Sequence, residues 1–179
     1  MNVEIKTGII FGGIIITGIV FLMILFTGLD ELTITNQELG TKKAPNLVGI
    51  AHYLNTSPEE LVKRMENKVV LYDIWTYSCI NCIRTLPFIT SWDEKYSEQG
   101  LLIVGIHSPE FEFEKDPQNV KIAIEKYGIT YPVVMDNDMK TWKAFENNYW
   151  PRKYIADHEG NLRYDHIGEG SYQETEKII

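Results

Sequence analysis

The sequence predicts an α/β domain built on a mixed sheet with helices on both faces. Two near-continuous apolar runs, 68–75 and 101–107, have the length and the Val/Ile/Leu content of buried strands. Helical segments with recognisable starts and stops separate the strand-like ones, the alternation that builds an α/β layer structure. Near the C-terminus two further strand-like segments flank Asp157-His158-Glu159-Gly160, a turn sequence that brings an antiparallel hairpin into the sheet.

The elements follow in order. Residues 8–29 carry no charge over 22 positions, and a helix of that length spans roughly 33 Å, enough for a bilayer core. The run contains no alanine and ends Phe26-Thr27-Gly28-Leu29-Asp30 rather than at a small-residue cleavage site, so residues 1–29 read as an uncleaved single-pass anchor. Lys6 lies before the span, and Lys42 and Lys43 lie well beyond it. So short an N-terminal head points to an extracytoplasmic domain. Residues 30–43 are polar and read as a tether, leaving 44–179 as the folded domain.

Residues 44–56 read as extended, or as a hairpin turning near Gly49. Ser57-Pro58-Glu59-Glu60 starts a helix that runs to about residue 66: a serine cap, a proline at the first helical position and acids in the first turn. A strand is expected at 68–75, a helix with an internal Pro87 at 79–96, and a strand at 101–107. Next come a helix at 118–127 ended by Gly128, a strand at 131–135 and a short helix at 139–147. Strands at 153–156 and 162–167 precede a last helix from Tyr172, which breaks off so soon that the natural chain is expected to continue past Ile179.

Charge narrows the function classes. Asp and Glu number 25 against 17 Lys and Arg, a formal net charge of −8, and no Lys/Arg run exceeds two residues. A nucleic-acid partner requires a basic face and is not expected.

Cys79 and Cys82 are the two cysteines of the chain, spaced Cys-x-x-Cys directly after the 68–75 strand. On the first turn of a helix such a pair can close a disulfide or open to two thiols. The free N–H groups and positive dipole at that terminus favour a thiolate at the first cysteine. A structural zinc site normally needs four ligands, and His52, His107, His158 and His166 are scattered. A purely structural disulfide across so small a loop stabilises little. Redox chemistry is the leading reading, with those two beside it.

Asp73 interrupts an apolar strand six residues before Cys79. Burial would raise its pKa and suit it to exchange a proton with Cys82, while an Asp reaching solvent at the sheet margin is the plainer alternative. Trp150 before Pro151 raises the cis option without deciding it. Trp75 and Tyr77 fit either core or site support. Arg84 reads as a solvated residue. Glu110, Phe111 and Phe113 lie in an irregular stretch that could shape a docking groove or, for the two Phe, join the core. A redoxin-type peroxidase would want Pro-x₃-Thr-x₂-Cys. Thr76 stands at the right offset from Cys79, but Tyr72 occupies the proline position.

The spacing of Asp73, Trp75, Cys79, Cys82, Pro87 and Pro151 resembles the thioredoxin superfamily. The stretch Trp75-Thr76-Tyr77-Ser78-Cys79-Ile80-Asn81-Cys82-Ile83-Arg84-Thr85-Leu86-Pro87 is similar to the thioredoxin-like domain of the DipZ group within the TlpA-like proteins. So are Gly105-Ile106-His107-Ser108-Pro109-Glu110-Phe111, Tyr131-Pro132-Val133, Asp136-Asn137-Asp138, Tyr149-Trp150-Pro151 and Gly168-Glu169-Gly170. The resemblance implies a thioredoxin fold after a single N-terminal transmembrane helix. It also implies a membrane-tethered, extracytoplasmic thiol–disulfide oxidoreductase that reduces protein disulfides without cofactor or metal, an oxidant or a redox-sensing binding module being the alternatives. Cys79 would attack, Cys82 would resolve, and a cis Pro151 would shape the substrate groove, supported by Trp75, Tyr77, Trp150 and Glu110. DipZ chains carry a multi-span membrane domain ahead of this one and a β-rich domain beyond it. In this sequence a single span replaces the first and the second is absent, so electrons would come from a separate membrane partner, or the protein would act without one. Ile80-Asn81 between the cysteines differs from the Gly-Pro of thioredoxin, a dipeptide that tunes redox poise.

Overall fold

A computed structural model describes residues 42–179. The apolar span expected at 8–29 lies outside the described residues, as does the tether up to residue 41. Among the described residues no helix is long and apolar enough to cross a membrane.

The strands are β1 (His52–Leu54), β2 (Val69–Trp75), β3 (Leu101–His107), β4 (Val133–Met135), β5 (Arg152–Ala156) and β6 (Leu162–Ile167). The helices are α1 (Pro58–Met65), α2 (Ile80–Tyr96), α3 (Pro117–Lys126), α4 (Lys140–Ala144) and α5 (Tyr172–Ile178), with short 3₁₀ turns at Ser97–Gln99 and Glu112–Lys115. The strands form one sheet in the order β1-β4-β3-β2-β5-β6. β2, β3 and β4 run parallel, while β1, β5 and β6 pair antiparallel to their neighbours. The sheet is therefore mixed, as expected.

Local chemistry accounts for the helix starts. Ser57 Oγ accepts the Glu60 N–H at 3.1 Å and caps α1. Asp116 does the same for α3 through the Gln118 N–H, with Pro117 as its first residue. The buried Asp136 carboxylate takes the Thr141 and Trp142 N–H groups at 3.0 and 2.7 Å, serving the first turn of α4.

Side chains alternate across a strand, and this alternation sets the layers. Leu71 and Trp75 of β2, Ile103 of β3 and Ile155 of β5 pack with Leu86, Ile89 and Trp92 of α2 and Val120 and Ile124 of α3 in one apolar cluster. Tyr72, on the opposite face of β2, meets Phe145 just after α4, and Phe145 meets Tyr154. Both sheet faces are thus covered, which is why β2 and β3 are buried almost throughout.

The sheet decides between the two readings of the 44–56 segment. The 44–56 segment makes no local hairpin. Its strand β1 pairs with β4, His52 opposite Met135, because the unpaired edge of β4 offers the ladder that a turn at Gly49 would have had to build. The residues just ahead of this segment are held as well. The Leu162 N–H donates to Lys42 O, the Ala44 N–H to Gly160 O, and Lys43 forms a bridge with Asn161, so the end of the polar stretch is held by the β5–β6 hairpin.

Gly105 lies at a close approach within the sheet. A Cβ there would meet Trp75 Nε1 at 3.1 Å, Val133 Cγ2 at 3.2 Å and Tyr131 Cε2 at 3.3 Å, all on buried side chains. Gly105→Ala is expected to destabilise the fold by about 1–3 kcal/mol through overpacking, read as a lower urea midpoint with unchanged slope.

Candidate active site

β2 ends at Trp75, and the chain turns through Thr76-Tyr77-Ser78 into α2. Cys79 is the N-cap of that helix. The Cys79 N–H donates to Thr76 O at 3.3 Å, and the Cys82 N–H reaches Cys79 Sγ at 3.4 Å. Both cysteines are free thiols, Cys79 partly exposed and Cys82 fully buried. The hydrogen bond from Cys82 and the N–H groups of Cys82 and Asn81 hold the Cys79 thiol down to about 6, against burial and the Glu110 charge. Cys82 moves the other way: burial, reinforced by the Cys79 sulfur, pushes its thiol far above the ordinary value. The two sulfurs therefore differ in protonation near neutral pH, the exposed one ionised and the deeper one protonated.

Asp73 lies beneath the helix. It shares a face of β2 with Leu71 and Trp75, and its neighbours in register are Gly105 on β3 and Lys153 on β5. It is fully buried, and neither carboxylate oxygen has a hydrogen-bond partner, so the sheet-margin reading is set aside. Burial raises its pKa to about 6, with Lys153 opposing. Lys153 is itself fully buried. Burial pulls its pKa down, while Asp73 and Cys82 pull it up. Asp73, Lys153 and Cys82 thus form one buried electrostatic group under the first turn of α2.

Pro151 stands one residue before β5, at the end of the ladder where Ile74 pairs with Arg152, and is therefore level with the end of β2. The Trp150–Pro151 peptide bond is cis. The Trp150 indole N–H donates to Ser108 O at 3.0 Å, and its ring lies 4.1 Å from that of Trp142. Trp75 is fully buried in the core cluster, where no groove reaches it, so it supports the site only from below. Tyr77 is partly buried, stacked on His107 at 5.6 Å, and donates its hydroxyl to Phe113 O. Glu110 is exposed and lines an open cleft of about 830 Å³ that extends to Trp142 and Asn148. Phe111 and Phe113 stack on each other at the surface rather than in the core. Arg84 pairs with Glu169 at the surface.

Three residues at the site were not singled out from the sequence. His107 is buried, with Nε2 3.3 Å from Thr76 Oγ1 and Nδ1 unpartnered, and burial lowers its pKa to about 4. Glu114 is fully buried and accepts hydrogen bonds from Ser78 and from the backbone of the 110–111 loop. Its acid-rich surroundings in sequence gave no sign of that burial. Lys153 carried the same signal that marked Asp73, a charge within an apolar strand.

Comparison with known proteins places this geometry. The redoxin family model matches residues 40–179. The chain belongs to the redoxin family. DipZ of Mycobacterium tuberculosis (strain CDC 1551 / Oshkosh) is 39% identical over 178 residues, covering 98% of this chain and 25% of that protein. The chain therefore spans about a quarter of the length of the DipZ proteins it matches. The thiol–disulfide oxidoreductase YkuV of Bacillus subtilis (strain 168) is 33% identical over 137 residues, 75% of this chain and 90% of that protein. Among solved structures, a thioredoxin-like protein in its oxidised form superposes with a TM-score of 0.67 at 31% identity, covering 76% of this chain and 91% of that one. This redoxin is thus a thioredoxin-fold protein with relatives named as thiol–disulfide oxidoreductases.

Two outcomes follow from the protonation pattern. Iodoacetamide is expected to alkylate Cys79 but not Cys82 in the folded, reduced protein, at a rate rising with pH through a midpoint near 6; mass spectrometry of the labelled peptides checks both. Asp73 binds its proton more tightly folded, at about 6, than at the ordinary 3.8. The stability this confers is present below pH 4 and lost as pH rises through 6. Asp73→Asn is therefore expected to unfold at higher denaturant at pH 8, by about 1–3 kcal/mol at 1.36 kcal/mol per pKa unit, with the advantage vanishing toward pH 4.

Proposed function

We propose that this chain is a thiol–disulfide oxidoreductase that reduces protein disulfides through Cys79 and Cys82. The observation that carries the reading is the asymmetric pair: a thiolate-favouring Cys79 capping α2, and a buried, protonated Cys82 over a buried carboxyl.

The Cys79 thiolate attacks one sulfur of a substrate disulfide, forming a mixed disulfide and releasing the other substrate sulfur as a thiolate, which takes a proton from solvent. Cys82 then gives its proton to the Asp73 carboxylate and attacks Cys79 Sγ. The second substrate sulfur leaves as a thiolate and takes up a proton from Asp73 or solvent; two electrons have passed from the dithiol to the substrate, and Cys79 and Cys82 are left as a disulfide. Asp73 suits this step because its pKa of about 6 leaves it ionised yet basic at neutral pH. Lys153 beside it limits how far burial can raise that value. Pro151 shapes the wall along which an extended substrate segment lies, with Trp150, Tyr77 and Glu110 on the rim and Trp75 as its support. Neither cofactor nor metal enters the cycle, which returns to the dithiol by exchange with a reduced partner.

The reducing direction is supported by the degree of thiolate stabilisation. Strong oxidants hold the attacking thiol near 3.5 and thioredoxin holds it near 7. Cys79, at about 6, sits nearer the second. Residues 1–29 anchor the domain to the membrane, 30–43 tether it, and 44–179 carry the chemistry outside the cytoplasm, fed by a separate membrane dithiol donor.

Three measurements test these points. Equilibration with glutathione or dithiothreitol is expected to give a potential near −250 mV or lower, and a value above about −150 mV would make the protein a disulfide donor instead. In an insulin-reduction assay Cys79→Ser is expected to abolish turnover, whereas Cys82→Ser traps the mixed disulfide with substrate on a non-reducing gel. The full chain is expected to stay with membranes through alkaline carbonate extraction, and a chain starting at residue 30 to be released.

A further inference from the structure

The loop from Ser108 to Lys115 touches both halves of the site. At one end the Ser108 N–H donates to Trp75 O at 3.0 Å, and Ser108 O receives the Trp150 indole. At the other end Glu114 accepts the Ser78 hydroxyl at 2.5 Å on Oε1, and the Glu110 and Phe111 N–H groups at 2.6 and 2.9 Å on Oε2. A carboxylate that accepts so many donors can be buried without a cation, because each charge-assisted bond replaces lost hydration. One of its oxygens holds the turn that leads into Cys79. The other holds the stretch bearing the exposed, stacked Phe111 and Phe113. Tyr77 Oη on Phe113 O is a second tie between the same two segments.

We infer that Glu114 is a positioning residue for the thiol–disulfide exchange: its carboxylate clamps the Thr76-Tyr77-Ser78 turn to the 110–113 loop and so holds Cys79 Sγ over the first N–H groups of α2. The inference rests on the oxidoreductase reading above and adds to it the residue that sets the attacking sulfur in place. A clamp of this kind acts at both of its ends. Removing the hydroxyl of Ser78 must free the turn as surely as removing the carboxylate, although Ser78→Ala leaves the negative charge where it is.

That difference makes the test decisive. Wild type, Ser78→Ala, Ser78→Thr, Glu114→Gln and the double variant Ser78→Ala/Glu114→Gln are compared by the pH dependence of Cys79 alkylation with iodoacetamide and by kcat/KM for insulin reduction. Ser78→Ala and Glu114→Gln are each expected to raise the alkylation midpoint by about one unit and to lower kcat/KM about 10-fold. The double variant should be no worse than Glu114→Gln alone, and Ser78→Thr, which keeps the hydroxyl, should behave as wild type. A midpoint that falls in Glu114→Gln and stays put in Ser78→Ala would show that the residue acts through its charge alone and would overturn the clamp. Unchanged midpoints with a lowered melting temperature would reduce it to a structural contact, and independent, multiplying effects in the double variant would also overturn it. Should Glu114→Gln not fold, the comparison of Ser78→Ala with Ser78→Thr decides the point. Wild-type protein that alkylates at Cys79 but does not reduce insulin would sink the oxidoreductase reading while leaving the clamp measurable by its midpoint.

Discussion

Strand β2 is hydrogen-bonded to β3 on one side and to β5 on the other, with packed side chains above and below. A strand held on four sides cannot shift, since a one-residue slip would send every apolar side chain to the wrong face. That register puts Asp73 between a glycine and a lysine. It also brings the last carbonyl of the strand to the Ser108 N–H, so the turn that follows must spring from a fixed point. The cysteine turn, the first turn of α2 and the segment before β5 all take their positions from it.

The site built on this strand uses one physical device in opposite directions. Burial disfavours charge. At Cys82 it holds the proton on, at Asp73 it raises the affinity for a proton, and at His107 it keeps the proton off. At Cys79 the hydrogen bond from the Cys82 thiol, joined by the N–H groups of Cys82 and Asn81, outweighs burial and favours the anion. A thiolate, a protonated thiol and a carboxyl of intermediate affinity for protons then stand within one turn of helix and the strand beneath it. Gly105 contributes by absence, since its missing side chain gives the Trp75 indole and Tyr131 the room in which they close the floor of the site.

The 108–115 loop shows how a surface segment joins such a core. Its backbone is irregular, and its polar groups are met one by one: by Trp75 O and the Trp150 indole at its start, and by Glu114, Tyr77 and Asn119 farther on. The two exposed phenylalanines are left over from that packing, stacked on each other at the surface with Phe113 edge-on to the Tyr77 ring.

Much of this was legible in the chain. The apolar runs marked β2 and β3 because strands buried on both faces need no alternation. Ser57-Pro58 marked the start of α1 because capping is local chemistry, and Cys79-x-x-Cys82 after a strand marked the redox candidate because one helical turn sets the sulfur spacing. Tertiary structure alone decided the partners. β1 pairs with β4, eighty residues away, rather than with its own neighbour. The burial of Asp73 depends on what lies over both faces of β2, and Glu114, one acid among several in its stretch of chain, is distinguished only by the three donors that the fold brings to it. Local sequence sets conformational preference over a few residues. Burial and hydrogen-bond partnership are properties of the assembled sheet and its covering helices, and they come into being only when distant segments meet.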